Sequence, residues 1–207
     1  MAREEAAETA ADAAGGRRDS ILSAALGLFL DHGYAATSIA DIRAASGAST
    51  GSIYHFFTGK DGIAQALLTE ALAGWSAVGG ALPDSSAEAA IKASVTGLVR
   101  WATANPGQFR FIDELRSLAR LDPDLAGLGA LLAAGQGVSG TAYRRYVAAG
   151  QVRPLAWPVA HSVILGPAHA WLRLPAEARK PGWRRAGELL AEAAWDAVRM
   201  PGRRSAR

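Results

Sequence analysis

Between Thr37 and Lys60 the chain reads TSIADIRAASGASTGSIYHFFTGK, a spacing that specifies two short helices joined by a tight turn. Ser38 and Asp41 form an S-x-x-D capping box, which starts a helix by satisfying the N–H groups that its first turn leaves open. Ile39, Ile42 and Ala45 then fall on one face of that helix. Gly47 stands where a tight interhelical turn needs a residue that tolerates positive φ, and Ser49 is placed to cap a second helix ending near Phe57. Ile53 and Phe57 anchor this second helix at i, i+4. Its other face carries Thr50, Ser52, Tyr54 and His55, small or hydrogen-bonding side chains suited to a helix laid in the major groove of duplex DNA. In isolation Tyr54 and His55 would read as ordinary amphipathic surface; a reading in which the helix only fills a core leaves this face without a role.

With the preceding run Ala24-Ala25-Leu26-Gly27-Leu28-Phe29-Leu30-Asp31-His32-Gly33-Tyr34, the string resembles the N-terminal domain of TetR-family transcriptional regulators, over residues 18–70. The family pattern has an A-x-x-L-F-x-x-x-G-Y/F first helix, a T-T/S-x-x-x-I-A second helix, a G-V-S-x-G-x-L/I-Y-x-x-F third helix and a Lys opening the fourth. Position by position, the resemblance implies phosphate contacts from Thr37, Ser38, Ser49 and Lys60, and contacts to base edges or the adjoining backbone from Thr50, Gly51, Ser52, Tyr54 and His55. Capping and phosphate contact are compatible for Thr37 and Ser38, since both use the same helix end. Two positions depart from the pattern. Arg43 replaces a common Ala, and Phe56 replaces a His or Tyr that touches a phosphate, so that contact has no donor here.

The rest of the chain reads as helix. A first helix spans 19–32, with Ile21, Ala25, Leu28 and Phe29 as its apolar stripe and Gly33 closing it. Residues 1–16, rich in Ala, Glu and Gly and without a branched or aromatic apolar residue, are expected to form a disordered arm, with Arg17 and Arg18 at the helix entrance. A fourth helix over 59–78 carries Ile63, Leu67, Leu68, Ala71, Leu72 and Trp75, and Gly79-Gly80 with Leu82-Pro83-Asp84 breaks it. Ser85 and Glu88 read as a capping box for a fifth helix to Ala104, ended by Asn105-Pro106-Gly107. Further segments cover 108–120, 124–149, 158–174 and 182–199, with Gly166-Pro167 as an expected kink and Gln151-Val152-Arg153-Pro154 as the only conceivable extended piece. The expected fold is therefore all-α with about nine helices: an arm (1–16), a three-helix helix-turn-helix domain (17–62), a helical effector-binding and dimerisation domain (63–200) and a basic tail (201–207).

Helices 158–174 and 182–199 are too apolar for one chain to cover. In the family such a pair meets its copy as a four-helix interface, so the resemblance implies a two-fold homodimer that sets two recognition helices roughly 34 Å or a multiple apart on a near-palindromic operator. The resemblance also implies a cavity for a small apolar effector among the middle helices, with Trp75, Trp101, Phe109, Phe111, Tyr143 and His161 as candidate walls. Taken singly each of these aromatics reads as core. Arg100, Asp113, Glu114 and Arg116 read equally as polar groups of such a cavity or as solvated faces.

Composition excludes several other classes. The 207 residues contain no cysteine, which removes disulfides, thiolate catalysis and Cys-ligated zinc, and the four histidines include no i, i+4 pair and no H-E-x-x-H. His161 and His169 share one helix face, but two such ligands without a nearby carboxylate make a poor metal site. No G-x-S-x-G or P-loop occurs, no apolar run is long enough to span a membrane, and the N-terminus lacks the pattern of a signal peptide. A net charge of +3 and a pI near 9.6 are weak support for a polyanionic partner. The expectation is a cytoplasmic, non-enzymatic, ligand-responsive repressor without metal or cofactor. The rival readings are a ligand-independent activator or architectural DNA-binding protein, and a helical enzyme or carrier whose helix-turn-helix is incidental.

Overall fold

The computed structural model describes residues 2–79 and 86–201. Among them are nine α-helices: α1 (Ala2–His32), α2 (Ile39–Ser46), α3 (Thr50–Phe56), α4 (Lys60–Gly79), α5 (Ala87–Ala104), α6 (Pro106–Leu118), α7 (Ala126–Ala148), α8 (Trp157–Leu172) and α9 (Trp183–Val198). Short 3-10 turns cover Pro123–Leu125 and Ala176–Ala178. The described residues contain no strand. The piece expected to be extended contributes one isolated antiparallel bridge, Val152 to Arg199.

Three expectations are corrected. α1 is drawn from Ala2 and not from Asp19. Ala, Glu and Arg are strong helix formers, and the lack of apolar residues that suggested disorder speaks only to the absence of a core, not to the backbone. The cap of α5 is Ser86, whose hydroxyl accepts the Ala89 N–H; Ser85 lies outside the described residues, as do Gly80, Leu82, Pro83 and Asp84 of the expected break and Arg203, Arg204 and Arg207 of the basic tail. On α2 the buried residue is Ile42, with Ile39 half-buried and Ala45 facing solvent. Pro167 lies inside α8, which continues past it.

The chain divides into two compact units, and the division differs from the expected boundary after residue 62. One unit comprises Met1–Ala71 with Gly107–Leu131, the other Leu72–Pro106 with Leu132–Arg207. α6 therefore belongs, except for its first residue, with the helix-turn-helix.

In the first unit Ile21, Leu22, Ala25 and Phe29 of α1 are buried with Ile42, Ile53, Phe57, Ile63 and Leu68. α6 adds Phe109, Phe111, Ile112 and Leu115, and Phe111 stacks on Phe29 with centroids 5.5 Å apart. In the second unit α5 is central, packing on α8 and α9, and its Ile91, Val95, Leu98 and Val99 are buried. Lys92 ties α5 to α9 by bridging Glu88 and Glu192 at 2.6 and 2.8 Å. Gly140 of α7 is required by close approach: a Cβ there would stand 3.0 Å from the Trp157 ring.

Candidate nucleic-acid interface

The helix-turn-helix forms where its local signals place it. The Ser38 hydroxyl accepts the Asp41 N–H at 3.2 Å while the Asp41 carboxylate accepts the Ser38 N–H at 2.8 Å, completing the capping box. Hydrogen bonds from the Ser38 hydroxyl and backbone hold the Asp41 carboxyl below its ordinary pKa. Gly47 closes α2 at φ +66, and its N–H donates to the Arg43 carbonyl. Ser49 caps α3 by accepting the Ser52 N–H at 3.0 Å.

α3 is held from below by Ile53, fully buried, and Phe57, 6% exposed. This leaves Thr50, Gly51, Tyr54 and His55 exposed on a short rod, with Ser52 half-buried beside them. Tyr54 is 56% exposed, unusual for so large an apolar ring. The exposed His55 ring meets Phe56 edge-on at 4.9 Å. Ser38 and Ser49 are exposed at the N-termini of α2 and α3, where helix ends favour anions.

Two residues for which the resemblance implied phosphate contacts, Thr37 and Lys60, make hydrogen bonds within the protein. Thr37 is buried at 2% exposure and its hydroxyl donates to the Gly33 carbonyl at 2.9 Å, so the side chain does not face outward. The Lys60 ammonium donates to the carbonyls of Tyr34 and Ala35 at 3.0 and 3.3 Å and lies 4.5 Å from the centre of the Tyr34 ring. Both residues tie down the α1–α2 connection. The Tyr34 hydroxyl donates to Asp61, and burial, followed by this hydrogen bond, raises its pKa. Arg18 also belongs to the scaffold, pairing with Glu70 at 2.8 Å and stacking over Phe57.

The six aromatics named for an effector cavity do not fall in one unit. Phe109 and Phe111 lie in the first, where Phe111 is buried and stacks on Phe29. Trp75, Trp101, Tyr143 and His161 lie in the second. There Tyr143 is 3% exposed, its hydroxyl donates to the Arg153 carbonyl at 2.8 Å, and its ring lies 5.7 Å from Trp157. His161 meets Trp157 edge-on at 5.4 Å. Trp157 was not singled out in the sequence; the period that puts Trp157 and His161 one helical turn apart was the available signal. Of the four polar candidates, Arg100 donates to the Val78 carbonyl, Asp113 and Arg116 pair at 3.9 Å, and Glu114 accepts the Tyr34 N–H at 3.0 Å.

The first unit of this all-α chain presents the capped, exposed second helix of a helix-turn-helix, the arrangement in which such a helix can enter a DNA groove. Residues 21–67 match the family described as bacterial regulatory proteins, tetR family. Over 51 residues the chain is 47% identical to the HTH-type transcriptional repressor ComR of Escherichia coli (strain K12), a match that covers 25% of this chain and 24% of that protein. Similar solved structures extend over the whole fold. A TetR family transcription regulator from Marinobacter aquaeolei VT8 is 20% identical, covering 93% of this chain and 100% of its own at a TM-score of 0.74. A regulatory protein in the tetR family from Rhodococcus RHA1 is 24% identical, covering 90% and 98% at 0.70. The ketosteroid transcriptional regulator KstR2 of Mycobacterium tuberculosis is 17% identical, covering 89% and 96% at 0.64. Residues 21–67 thus carry the tetR-family DNA-binding segment, and the chain as a whole shares the fold of these solved regulators.

Proposed function

We propose that the protein is a ligand-responsive transcriptional repressor that binds a palindromic operator as a homodimer and is released by a small apolar effector. The observation that carries this reading is the exposed polar face of α3, with Tyr54 56% exposed over a buried Ile53. Thr50, Gly51, Ser52, Tyr54 and His55 would read base edges and adjoining backbone in the major groove. Ser38 and Ser49, with the N–H groups of the helices they cap, would hold phosphates and set the register. The likeness to a repressor over the DNA-binding segment supports repression over activation.

A homodimer through residues 158–174 and 182–199 is supported by the apolar side chains that α8 and α9 leave exposed: Val159 at 51% and Leu189 at 48%, with Leu174 and Met200 beyond the helix ends. Two-fold pairing would place two copies of α3 in successive major grooves. The effector would meet Trp75, Trp101, Tyr143 and His161 of the second unit, where the buried Trp157 N–H has no acceptor among the described residues and would suit a ligand carrying an oxygen. KstR2, which shares the fold, is a ketosteroid transcriptional regulator, in keeping with an apolar effector. Release requires the effector to favour the non-binding state by roughly 5.5 kcal/mol for a full switch. No metal or cofactor enters this reading, and the protein is taken as a cytoplasmic non-enzyme.

The test is selection of bound duplexes from a random library by the purified protein. Recovery of two inverted half-sites whose centres lie roughly one helical turn or a multiple apart is the expected result. Recovery of no enriched sequence, or of a single unrepeated half-site bound by one subunit, would overturn it.

A further inference from the structure

The geometry points to Glu114 of α6 as a positioning residue for operator reading, a role that rests on the proposed DNA-binding function and extends it beyond the segment that carries the family signature. α1 ends at His32, Gly33 turns the chain at φ +86, and Tyr34 opens the connection that fixes where α2 and α3 point. Tyr34 is gripped at each of its polar groups. Its hydroxyl donates to Asp61, its carbonyl accepts from Lys60 at 3.0 Å, and its N–H donates to the Glu114 carboxylate at 3.0 Å. The first two partners open α4, within the segment shared with the tetR family; Glu114 lies 80 residues away along the chain.

Glu114 does not act alone. One turn earlier on α6, Arg110 donates to the Leu30 carbonyl at 3.2 Å, capping the last turn of α1, and Phe111 stacks on Phe29. A Cβ on Gly33 would come 3.5 Å from the Glu114 carboxylate, so the turn and the acid are in contact. α6 thus grips the end of α1 by a ring stack, a guanidinium on a carbonyl and a carboxylate on an amide. Without the carboxylate the Tyr34 N–H loses a charge-assisted partner in a half-buried position, and the α1–α2 connection gains freedom. Base reading demands a fixed angle for α3, whereas phosphate attraction tolerates a loose one. The consequence is selective: Glu114 supports specific binding and contributes little to general attraction for DNA.

The experiment compares the full-length protein with Glu114→Gln, which keeps an acceptor oxygen, and Glu114→Met, which keeps length and helix propensity without one. Affinity is measured for the selected operator and for a random-sequence duplex, alongside hydrogen exchange at the Tyr34 amide. Glu114→Met is expected to lose about 10-fold in operator affinity and to exchange Tyr34 rapidly, with random-duplex affinity and salt slope unchanged within about 2-fold; Glu114→Gln should stay within about 3-fold of the parent on every readout. Unchanged operator affinity in Glu114→Met, a parallel loss on random duplex, or an equal loss in Glu114→Gln would overturn the assignment. Should Glu114→Met fail to fold, the parent protein decides: slow exchange at Tyr34 relative to exposed Ala36 is expected, and equal rates would refute the hydrogen bond. A parent that binds no duplex would instead defeat the DNA-binding reading, while the exchange result still judges Glu114.

Discussion

Replacing Lys60 by Met separates two roles that a lysine at the start of α4 can play. In the structure its ammonium is committed to the Tyr34 and Ala35 carbonyls at 3.0 and 3.3 Å and to the Tyr34 ring at 4.5 Å. A hydrogen bond from a charged donor contributes about 1.5 kcal/mol at the low end, and a half-exposed cation over a ring about 0.5 kcal/mol. The Ala35 carbonyl is exposed and water can replace the longer bond, so the loss should come to about 2 kcal/mol rather than the full sum. With a urea slope of about 2 kcal/mol/M, the unfolding midpoint seen by circular dichroism should fall by about 1 M. A lysine that served only as a phosphate contact would leave that midpoint unchanged and would instead lower the salt slope of DNA binding by about one. A midpoint within about 0.2 M of the parent, together with a reduced salt slope, would refute the scaffold role of Lys60.

Other substitutions probe the remaining parts. Ile53→Ala empties a fully buried site under α3 and should cost about 2–5 kcal/mol; all six tryptophans lie from Trp75 onward, in the second unit, so circular dichroism should register the loss at lower urea than tryptophan fluorescence does. Tyr54→Ala, at a site 56% exposed, should leave stability within about 0.5 kcal/mol while weakening the operator complex by about 1–3 kcal/mol in a binding titration. Gly140→Ala forces a Cβ to 3.0 Å from the Trp157 ring and should destabilise the second unit by about 1–3 kcal/mol, visible as an earlier fluorescence transition. The Asp41 carboxyl is held below its ordinary pKa chiefly by Ser38, so the cap's contribution is complete above the unfolded carboxylate pKa and is lost as pH falls through the lower folded value; Ser38→Ala should return the Asp41 titration, followed by carboxyl NMR, toward its ordinary value.

The parts of the fold that sequence reveals are those fixed by neighbours in sequence. The caps of α2 and α3 lie three residues from the amides they serve, and both helices begin where Ser38 and Ser49 place them. The alternation of buried Ile53 and Phe57 with exposed Tyr54 and His55 follows from helical period alone. Contacts between distant segments leave no such trace. Glu114 is one polar residue on an amphipathic helix until α6 folds beside the end of α1, and Lys60 reads as a surface charge until Tyr34 and Ala35 turn their carbonyls toward it. Thr37 was ambiguous between cap and contact because its hydroxyl can reach either, and the fold spends it on Gly33. The start of α1 was missed for a different reason: apolar periodicity detects helices that bury a face, while a stretch such as Ala2–Ala14 is helical through propensity.

The account rests on α3 lying in the groove with Tyr54 against the bases. Its most direct test places a photo-crosslinking phenylalanine derivative at position 54 of the full-length protein and irradiates the complex with the selected operator. Crosslinks to one base pair in each inverted half-site, absent on random duplex, are predicted. Crosslinks confined to protein, or scattered along the duplex without regard to the half-sites, would contradict the placement of α3 and with it the reading of the molecule as an operator-binding regulator.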